Sequence, residues 1–380
     1  MENNKIIVVT GIKPEDNDSP LSLTEKLLKL CTRLFSNVTL YTSNYPPDYS
    51  RRFTDENLFL CDLSIKLPTK GIIQKLYAFV KLQLRIIRKL RKNSDRTAIV
   101  VFWIAGPMIL LYLYCKLHKY QTIGFLYGNP ALGSKKIIKR LSASLIKRIA
   151  CGCTWTCVEA PAVALDWKLS GKRKNKTVHV ISLYIDTDRF YPISDYCKRP
   201  QTIGMCCRLI AGKKPLEAIE AFSQFVKQHP DWKMEIAGNG PLFQQCEEKI
   251  KQLGLDGKIS LLGWVPNENM ASIYNRWKLL LNPTTHEGLP NTVLESMACG
   301  TPVLTSSVGG IPDIISDNEN GWFLPDETID TMCDKLERVL SENHMTQISE
   351  KSSAFVTEHY TYQNALNRFE IFINGEISSR

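Results

Sequence analysis

The stretch KLLLNPTTHEGLPNTVLESMACGTPVLTS, residues 278–306, contains a complete strand–helix–strand unit. KLLLNP and PVLTS are predicted to be buried strands, and NTVLESMA between them a short helix that Gly300 ends. Pro290 suits the first helical position, because its φ is already helical and that position needs no N–H. This unit is the repeating element of a parallel sheet, so the stretch predicts an α/β fold.

The same alternation runs along the chain of 380 residues in two series. The first series has the predicted strands KIIVVT, NVTLYT, AIVVFWI, QTIGFLY, TWTCVE and TVHVIS. The second has TIGMCC, KMEIAG, KISLLG, KLLLNP and PVLTS, and the pattern lapses between them in DTDRFYPISDYCKRP. We therefore predict two doubly wound domains, 1–188 and 201–355, joined by a linker at 189–200. Ligands of such sheets bind beyond the carboxyl ends of the strands, which places the expected site in a cleft between the domains.

The twelve cysteines lie inside apolar segments, and the N-terminus shows no secretory leader. Both features favour reduced thiols in the cytoplasm. Cys151, Cys153 and Cys157 form a cluster without the paired CxxC spacing of zinc sites and without a nearby histidine. We expect buried thiols here, with a metal site as the minor alternative.

Charge is distributed unevenly along the chain, whose formal net charge is +10. Residues 63–180 contain 23 Lys and Arg but only Asp95, Glu159 and Asp166 as acids, which predicts an anionic partner for this half. Within it, residues 71–92 carry apolar side chains at helical spacing, at Ile73, Leu76, Val80, Leu84 and Ile87. This stripe either packs on the sheet beneath a basic outer face or lies on a membrane surface.

Residues 98–115, AIVVFWIAGPMILLYLYC, form an uncharged run that just reaches the length of a membrane span. Gly106 and Pro107 divide it into a β-branched half and a Leu/Tyr half. Because proline breaks helices and suits helix starts, we predict a strand, a turn and a buried helix.

The loop and helix of the opening stretch have the chemistry of an anion site beside hydroxyl acceptors. Asn291 and Thr292 lie in the first helical turn, where free N–H groups and the helix dipole attract an anion. Glu287 precedes the helix, and Glu295 lies one turn beyond Asn291; both carboxylates can accept hydrogen bonds from hydroxyls. A diphosphate between two hydroxyl-rich rings fits this layout.

Cations and glycine turns at other strand ends complete the pattern. Arg208 follows the strand TIGMCC, and Lys213 and Lys214 come soon after, so a guanidinium fork and an ammonium are available for phosphate oxygens. The turns AGNGPL and SVGGIPD also end strands. Each of these turns alone is weak evidence for a ligand site. Their occurrence together, in this order along the chain, is stronger evidence.

In this order, residues 200–325 closely resemble the donor-binding half of glycosyltransferase family 4, the retaining glycosyltransferases of GT-B fold. The E-x7-E motif corresponds to Glu287 and Glu295, the Arg-Leu…Lys element to RLIAGK, and the GxGP turn to GNGP. GGIPDIISDNENGW matches a further family segment, with Asp313 in place of Glu. The C-terminal residues 356–380 resemble the helix that returns to the first domain.

The resemblance implies a role for each of these positions. Arg208 and Lys213 hold the diphosphate, Glu287 contacts the donor sugar and Glu295 the ribose. The remaining donor-binding positions are Gly238, Gly288, Leu289, Pro290, Asn291, Thr292 and Gly310. The family scheme requires no metal or other cofactor, because the enzyme positions the partners and stabilises the leaving group's charge.

The chain departs from the family pattern at three points. Cys207 replaces the usual glycine before the arginine, and the Gly-Gly of the first loop is reduced to Gly11. The histidine that the first domain often supplies has no counterpart before His118, so Tyr127 or Asn129 is the candidate replacement on the acceptor side.

These observations predict a retaining glycosyltransferase, with hexosyl transfer favoured, that uses a nucleotide diphosphate sugar and a lipid-linked or polysaccharide acceptor. The basic first half predicts peripheral attachment to an anionic membrane on its cytoplasmic face. A sugar-nucleotide epimerase of the same fold is an alternative that needs further acid/base residues. A nucleic-acid-binding protein is another, but the basic residues lack interleaved exposed aromatics, so nucleic acid is not expected as a partner.

Overall fold

The structure, a computed structural model, describes residues 5–13, 19–46, 49, 53–68, 71–92, 96–129, 131, 136–169, 177–341 and 344–377. The chain forms two units, each with its own parallel sheet. The first unit comprises Met1–Leu183 and Ala365–Arg380, and the second comprises Tyr184–Asn364. The segment predicted as a linker, 189–200, lies in the second unit.

The first unit contains a seven-stranded sheet of order β3-β2-β1-β4-β5-β6-β7. Its strands are β1 (Lys5–Ile12), β2 (Asn37–Ser43), β3 (Leu58–Asp62), β4 (Ile99–Phe102), β5 (Thr122–Leu126), β6 (Trp155–Val158) and β7 (Val178–Val180). Its helices are α1 (Ser19–Leu34), α2 (Ile72–Lys92), α3 (Ile109–Leu117), α4 (Ile137–Gly152) and α5 (Pro161–Asp166). β4 and β5 are buried along their whole length, which explains why they are apolar runs without polar alternation.

The second unit contains a six-stranded sheet of order β10-β9-β8-β11-β12-β13. Its strands are β8 (Thr202–Cys206), β9 (Lys233–Ala237), β10 (Ile259–Gly263), β11 (Leu279–Asn282), β12 (Val303–Ser306) and β13 (Trp322–Leu324). Its helices are α6 (Pro215–Gln228), α7 (Phe243–Gln252), α8 (Asn267–Tyr274), α9 (Asn291–Ala298), α10 (Ile329–Leu340) and α11 (Met345–His359), and α12 (Tyr362–Phe372) continues into the first unit.

Alternate residues of β11 pack into different hydrophobic cores of the second unit. Leu279 and Leu281 of β11 pack with α6 and α10 on one face of the sheet. Leu280, between them, packs with α8 and α9 on the other face. A strand covered on both faces must be apolar at every position, and this is the pattern that identified it in the sequence.

The strands β3 and β13 were not predicted, and both end the order of their sheet. β3 is only partly buried, and β13 is three residues long. A short or half-exposed edge strand lacks the continuous apolar run that marks a central strand. All eleven strands that were predicted are present.

The uncharged run at 98–115 divides into β4 and α3, with Gly106 and Pro107 in the connection, as predicted. The prediction that α3 is buried is only half right. Leu111 and Cys115 are buried, whereas Leu113 and Leu117 are exposed on another face of the helix. In the part of the chain that the structure describes, no helix is long and apolar enough to cross a bilayer.

The opening strand–helix–strand unit forms as β11, α9 and β12. α9 begins at Asn291, one residue later than predicted, so Pro290 precedes the helix. Gly300 adopts a positive φ of 67° and its N–H bonds to the carbonyl of Met297 at 2.8 Å. A left-handed residue at this point ends a helix, and glycine adopts it without strain.

The segment at 189–200 is held to the second unit by a buried guanidinium. Arg199 is 5% exposed and donates to the Thr301 hydroxyl at 2.6 Å and to the Cys299 carbonyl at 2.7 Å. Burial lowers the pKa of Arg199 from its usual value. These bonds tie the end of the segment to the C-terminal end of α9 and so help to position that helix.

Candidate active site

The candidate site lies where the order of strands in the second sheet reverses. β8 is flanked by β9, the next strand in sequence, and by β11, the third strand after it. β8 and β11 are parallel, with Ile203 opposite Leu279, so their carboxyl ends lie at the same edge of the sheet. Such a switch point opens a crevice between diverging loops and is the usual ligand site of an open α/β sheet.

The loop after β8 carries the predicted cations. Arg208 is exposed at the start of this loop, and Lys213 ends a short 3₁₀ turn, Ala211–Lys213. Lys214 has a φ of 52° and pairs with Glu217 at 2.9 Å at the start of α6. Of the two adjacent lysines, only Lys213 is paired with the loop after β11.

Lys213 and Glu287 form an ion pair across the two loops. The ammonium contacts Oε1 of Glu287, and both side chains are largely buried, at 19% and 14% exposure. The Thr285 N–H also donates to the carbonyl of Gly212 at 2.9 Å. The pairing therefore fixes a carboxylate from one loop beside a cation from the other. The sequence showed both residues, but not that they meet.

Glu295 lies beneath this loop pair on α9 and is 6% exposed. Its Oε2 accepts a hydrogen bond from the Tyr274 hydroxyl at 3.3 Å. Burial raises the pKa of Tyr274 well above its usual value, and the neighbouring Cys206 and Glu295 add to the shift. The phenol is therefore a stable donor that orients the carboxylate. Tyr274 was not predicted from the sequence, because a tyrosine at the end of an apolar helix is typical of a core position.

The loop from Gly288 to Pro290 is supported by the glycine pair after β12. The Gly310 N–H donates to the Gly288 carbonyl at 2.7 Å. Gly309 has a φ of 57°, and a Cβ atom there would collide with the Glu287 carbonyl oxygen. Gly310 was predicted from the sequence, whereas the closer contact belongs to Gly309. The other predicted positions, Leu289, Asn291 and Thr292, are half-buried at the start of α9.

The GNGP turn supports the loop that carries Arg208. Gly238 has a φ of 137°, and a Cβ atom at this position would collide with the Cys207 carbonyl oxygen. The Leu209 N–H donates to the Asn239 carbonyl at 3.0 Å. A glycine is required here because two backbones approach closely.

The two cysteines before Arg208 are neutral thiols. Burial raises the pKa of Cys206 to about 12 and raises that of Cys207 further, although Lys213 opposes both shifts. A thiol of this kind is not ionised near neutral pH and is a poor nucleophile. They serve as packing groups under the loop. All twelve cysteines lie in the described part of the chain, and none forms a disulfide bond.

The three positions predicted on the acceptor side lie in the first unit. The Gly11 N–H donates to the Ile104 carbonyl at 3.2 Å, so this amide is used within the fold. The Tyr127 hydroxyl is buried and meets no hydrogen-bond partner among the residues described, and its ring packs edge-on against Trp103. Asn129 donates to the Asp166 carbonyl at 3.2 Å and is half-buried. Both residues are half-buried, and the Tyr127 hydroxyl itself is buried.

The described residues include no group of three or more His, Cys, Asp or Glu side chains placed to hold a metal ion. Cys151, Cys153 and Cys157 form no disulfide bond, and Cys153 and Cys157 are buried. Burial raises the pKa of Cys157 well above its usual value.

Comparison with known protein families identifies the part of the chain that carries this site. Residues 193–355 match the family described as "Glycosyl transferases group 1". This segment is similar to the glycosyl transferases group 1. The group 1 domain contains Arg208, Lys213, Glu287 and Glu295, together with the glycine turns that support them.

Relatives and solved structures agree with this assignment. An uncharacterized glycosyltransferase of Methanocaldococcus jannaschii is 31% identical over 147 residues, 38% of this chain and 37% of that protein. A phosphatidylinositol N-acetylglucosaminyltransferase subunit from Arabidopsis thaliana is 26% identical over 198 residues, 51% of this chain and 43% of that protein. The curated relatives are matched over 15% to 43% of their own length.

The crystal structure of HepE from Anabaena, in complex with UDP and glucose, superposes with a TM-score of 0.76. Sequence identity is 14%, and the superposition covers 97% of this chain and 99% of HepE. The likeness confirms the predicted fold, two Rossmann-like domains of the GT-B type.

Proposed function

We propose that the protein is a retaining glycosyltransferase that moves a sugar from a nucleotide diphosphate sugar to a lipid-linked or glycan acceptor at a membrane surface. The observation that carries this proposal is the ion pair between Lys213 and Glu287 at the β8–β11 switch point. It places a cation suited to a diphosphate in contact with a carboxylate suited to sugar hydroxyls. The group 1 domain supports the same activity.

The donor side of the proposal assigns one role to each side chain. Arg208, exposed at the end of β8, forks onto the diphosphate, and Lys213 adds an ammonium beside it. The N-terminal amides of α9 add partial positive charge. Glu287 accepts hydrogen bonds from the transferred sugar, and Glu295, oriented by Tyr274, accepts them from the ribose. Gly238 and Gly310 act through the backbone contacts that hold these loops.

In the proposed transfer step, the bond between the sugar's anomeric carbon and the diphosphate oxygen breaks. The acceptor hydroxyl forms a new bond on the face that the diphosphate leaves, and its proton passes to a diphosphate oxygen. Charge accumulates on the leaving diphosphate, where Arg208 and Lys213 stabilise it. Because these two cations serve the leaving group, the proposal includes no metal or other cofactor.

Names of similar proteins support the substrate classes. HepE was solved with UDP and glucose, and the Arabidopsis relative carries phosphatidylinositol in its name. The basic character of residues 63–180 supports attachment to an anionic surface. We therefore place the protein in the cytoplasm, peripherally on the inner face of a membrane. Gly11, Tyr127 and Asn129 remain the proposed acceptor-side positions, with Asn129 favoured because the Tyr127 hydroxyl is buried.

A donor screen tests the activity. The protein is mixed in turn with UDP-, GDP- and ADP-sugars, and thermal stability and release of the nucleotide diphosphate are measured. We expect one nucleotide class to raise the melting temperature, because a ligand that binds only the folded state stabilises it. Conversion of the donor into its epimer without acceptor would favour the epimerase, and no response to any sugar nucleotide would contradict the proposal.

The two carboxylates should separate by their effect on nucleotide binding. If Glu295 contacts ribose, Glu295→Gln weakens binding of the bare nucleotide diphosphate, because a carboxylate accepts stronger hydrogen bonds than an amide. Glu287→Gln leaves that affinity nearly unchanged but lowers transfer. Titration calorimetry with the nucleotide diphosphate measures the first effect, and turnover measures the second.

Tyr274→Phe is the matched control for Glu295. It removes only the hydroxyl that orients the carboxylate, so we expect a smaller loss of nucleotide affinity in the same direction. If Glu287→Gln weakens nucleotide binding and Glu295→Gln does not, the two assigned roles are reversed.

A further inference from the structure

Exposed apolar side chains are concentrated on three helices of the first unit. Of the 21 large apolar residues that are exposed in the described part of the chain, 12 lie on α2, α3 and α4. They are Ile72, Ile73, Leu76, Tyr77 and Leu84 of α2, Ile109, Leu110, Leu113 and Leu117 of α3, and Ile137, Ile138 and Leu141 of α4. We call these twelve residues the apolar patch. A cluster of exposed apolar side chains on a protein surface is typical of an interaction site.

α2 has two apolar faces, and it packs on the sheet through the one that was not predicted. The buried residues are Ala78, Leu82, Gln83, Ile86 and Leu90. The stripe identified in the sequence lies on the opposite side, where Ile73 is 83% exposed and Leu76 is 61% exposed. The stripe is covered only in part, because Ile87 packs against the core while Ile73, Leu76 and Leu84 remain exposed.

The three helices that carry the patch are neighbours in the order α2, α3, α4. Oε1 of Gln83 on α2 accepts the Leu110 N–H at 2.9 Å, which fixes the start of α3 beside the middle of α2. The ring of Tyr112 on α3 lies against Gly152 at the end of α4. At 1.5 Å per residue, Ile72 lies about 16 Å ahead of Gln83, so the first turns of α2 extend beyond the start of α3.

α4 extends in the same direction. Ile137 lies fifteen residues before Gly152, or about 22 Å along the helix axis. The exposed apolar residues of both α2 and α4 are thus concentrated in first turns that project on either side of the start of α3. Projecting apolar turns insert into a deformable phase more readily than they fit a preformed flat surface.

Charge around the patch has one sign. α2, α3 and α4 contain seven, one and four Lys or Arg residues, and no Asp or Glu. Lys81 and Arg88 follow Tyr77 and Leu84 by one helical turn, and Arg140 follows Ile137. Arg85 does not belong to this group, because its guanidinium donates to the Leu63 carbonyl within the fold. The other six basic residues of α2 are exposed.

We propose that the apolar patch inserts into the headgroup region of an anionic bilayer, with the surrounding Lys and Arg residues contacting lipid phosphates. This inference deepens the membrane part of the proposed function and rests on it. It adds the residues that enter the lipid and makes apolar insertion, rather than charge alone, the main anchor. Basic residues at the rim then supply attraction to anionic lipid and orient the first unit on the surface.

Charge complementarity favours lipid over a second copy of the chain. In a symmetric dimer the same surface meets itself, so the exposed basic residues of these helices would face those of the other copy without acids on the same helices to compensate. A bilayer containing anionic lipid supplies the opposite charge and an apolar interior together.

Vesicle co-sedimentation of the full-length protein tests the proposal. Vesicles of phosphatidylcholine alone are compared with vesicles of phosphatidylcholine and phosphatidylglycerol. One variant combines Ile73→Gln, Leu113→Gln and Ile138→Gln, and another combines Lys81→Gln, Arg88→Gln and Arg140→Gln. We expect stronger binding to the anionic vesicles than to phosphatidylcholine alone, and at least about tenfold weaker binding for each variant.

Matched controls use exposed residues elsewhere. Phe59→Gln with Leu165→Gln removes apolar side chains of the same unit outside the patch, and Lys227→Gln, Lys233→Gln and Lys251→Gln remove basic residues of the second unit. Both controls should bind as the unaltered protein does. The thermal shift with the sugar nucleotide should be the same for all variants, which shows that they fold.

Three outcomes would overturn the proposal. They are no binding to anionic vesicles, unchanged binding of the apolar variant, and a stable dimer in light scattering that the apolar variant dissociates. If the protein does not bind anionic vesicles while the donor still raises its melting temperature, the proposed role of the apolar patch is wrong. The proposal of a glycosyltransferase is then unaffected. If the protein binds anionic vesicles but no sugar nucleotide, the membrane-binding patch is supported and the glycosyltransferase proposal is wrong.

Discussion

Replacing Arg208 with alanine should lower turnover by about 10²- to 10³-fold, which is the usual loss when one charge-stabilising donor is removed. Arg208 follows β8 at the switch point and precedes Lys213, whose ammonium already contacts Glu287. Arg208 is exposed at this edge of the sheet, so its guanidinium can reach a leaving diphosphate. The effect should fall on kcat more than on KM, because the charge that it stabilises develops during the reaction.

Arg208→Lys should restore only part of the turnover, since an ammonium keeps the charge but loses the fork geometry. Lys233→Ala removes an exposed cation of the same unit at the amino end of β9, away from the carboxyl edge of the sheet, and should leave turnover unchanged. Single-turnover kinetics with saturating donor measure all three variants. Near-normal rates for Arg208→Ala would show that another group stabilises the diphosphate.

Gly309→Ala should lower turnover by about 10²-fold or more, although no atom of Gly309 is assigned to a substrate. Its φ of 57° and the collision of an added Cβ with the Glu287 carbonyl oxygen require the backbone of one loop to move. The displaced segment carries Glu287, so its pairing with Lys213 and its approach to the sugar are both disturbed. Misplacement by about 1 Å is enough for a loss of this size.

Gly257→Ala is the matched control, because Gly257 also has a positive φ, of 78°, but no atom lies within 4 Å of the added Cβ. Both variants therefore incur the left-handed strain of about 1–2 kcal/mol, and only Gly309→Ala moves the loop. Turnover and thermal unfolding are measured for each. Equal turnover in the two variants would mean that the Gly309 contact does not position Glu287.

Sequence periodicity was sufficient to predict the central strands of both sheets. β4, β5 and β11 are covered on both faces, so every position is apolar and the strand appears as a run. β3 and β13 were not predicted, because a short or half-exposed edge strand has no continuous apolar run.

The sequence was less informative about which face of a helix packs on the sheet. The stripe of α2 was read correctly as helical, but α2 is apolar on two sides. Periodicity reports that a face is apolar and not which neighbour covers it, since that depends on where the connections to β3 and β4 place the helix.

The candidate site also has features that the sequence predicts and features that only the tertiary structure shows. The sequence by itself determined which side chains follow which strands, and hence that Arg208, Lys213, Glu287 and Glu295 lie at the carboxyl edge of one parallel sheet. Strand order alone made β8 and β11 neighbours, although 72 residues separate the end of one from the start of the other. Only the tertiary structure therefore decided that Lys213 pairs with Glu287, that Tyr274 orients Glu295 and that Gly309 supports the loop. Local sequence sets the backbone conformation of each element, whereas contacts across the sheet depend on which strands pair, and no residue encodes that pairing by itself.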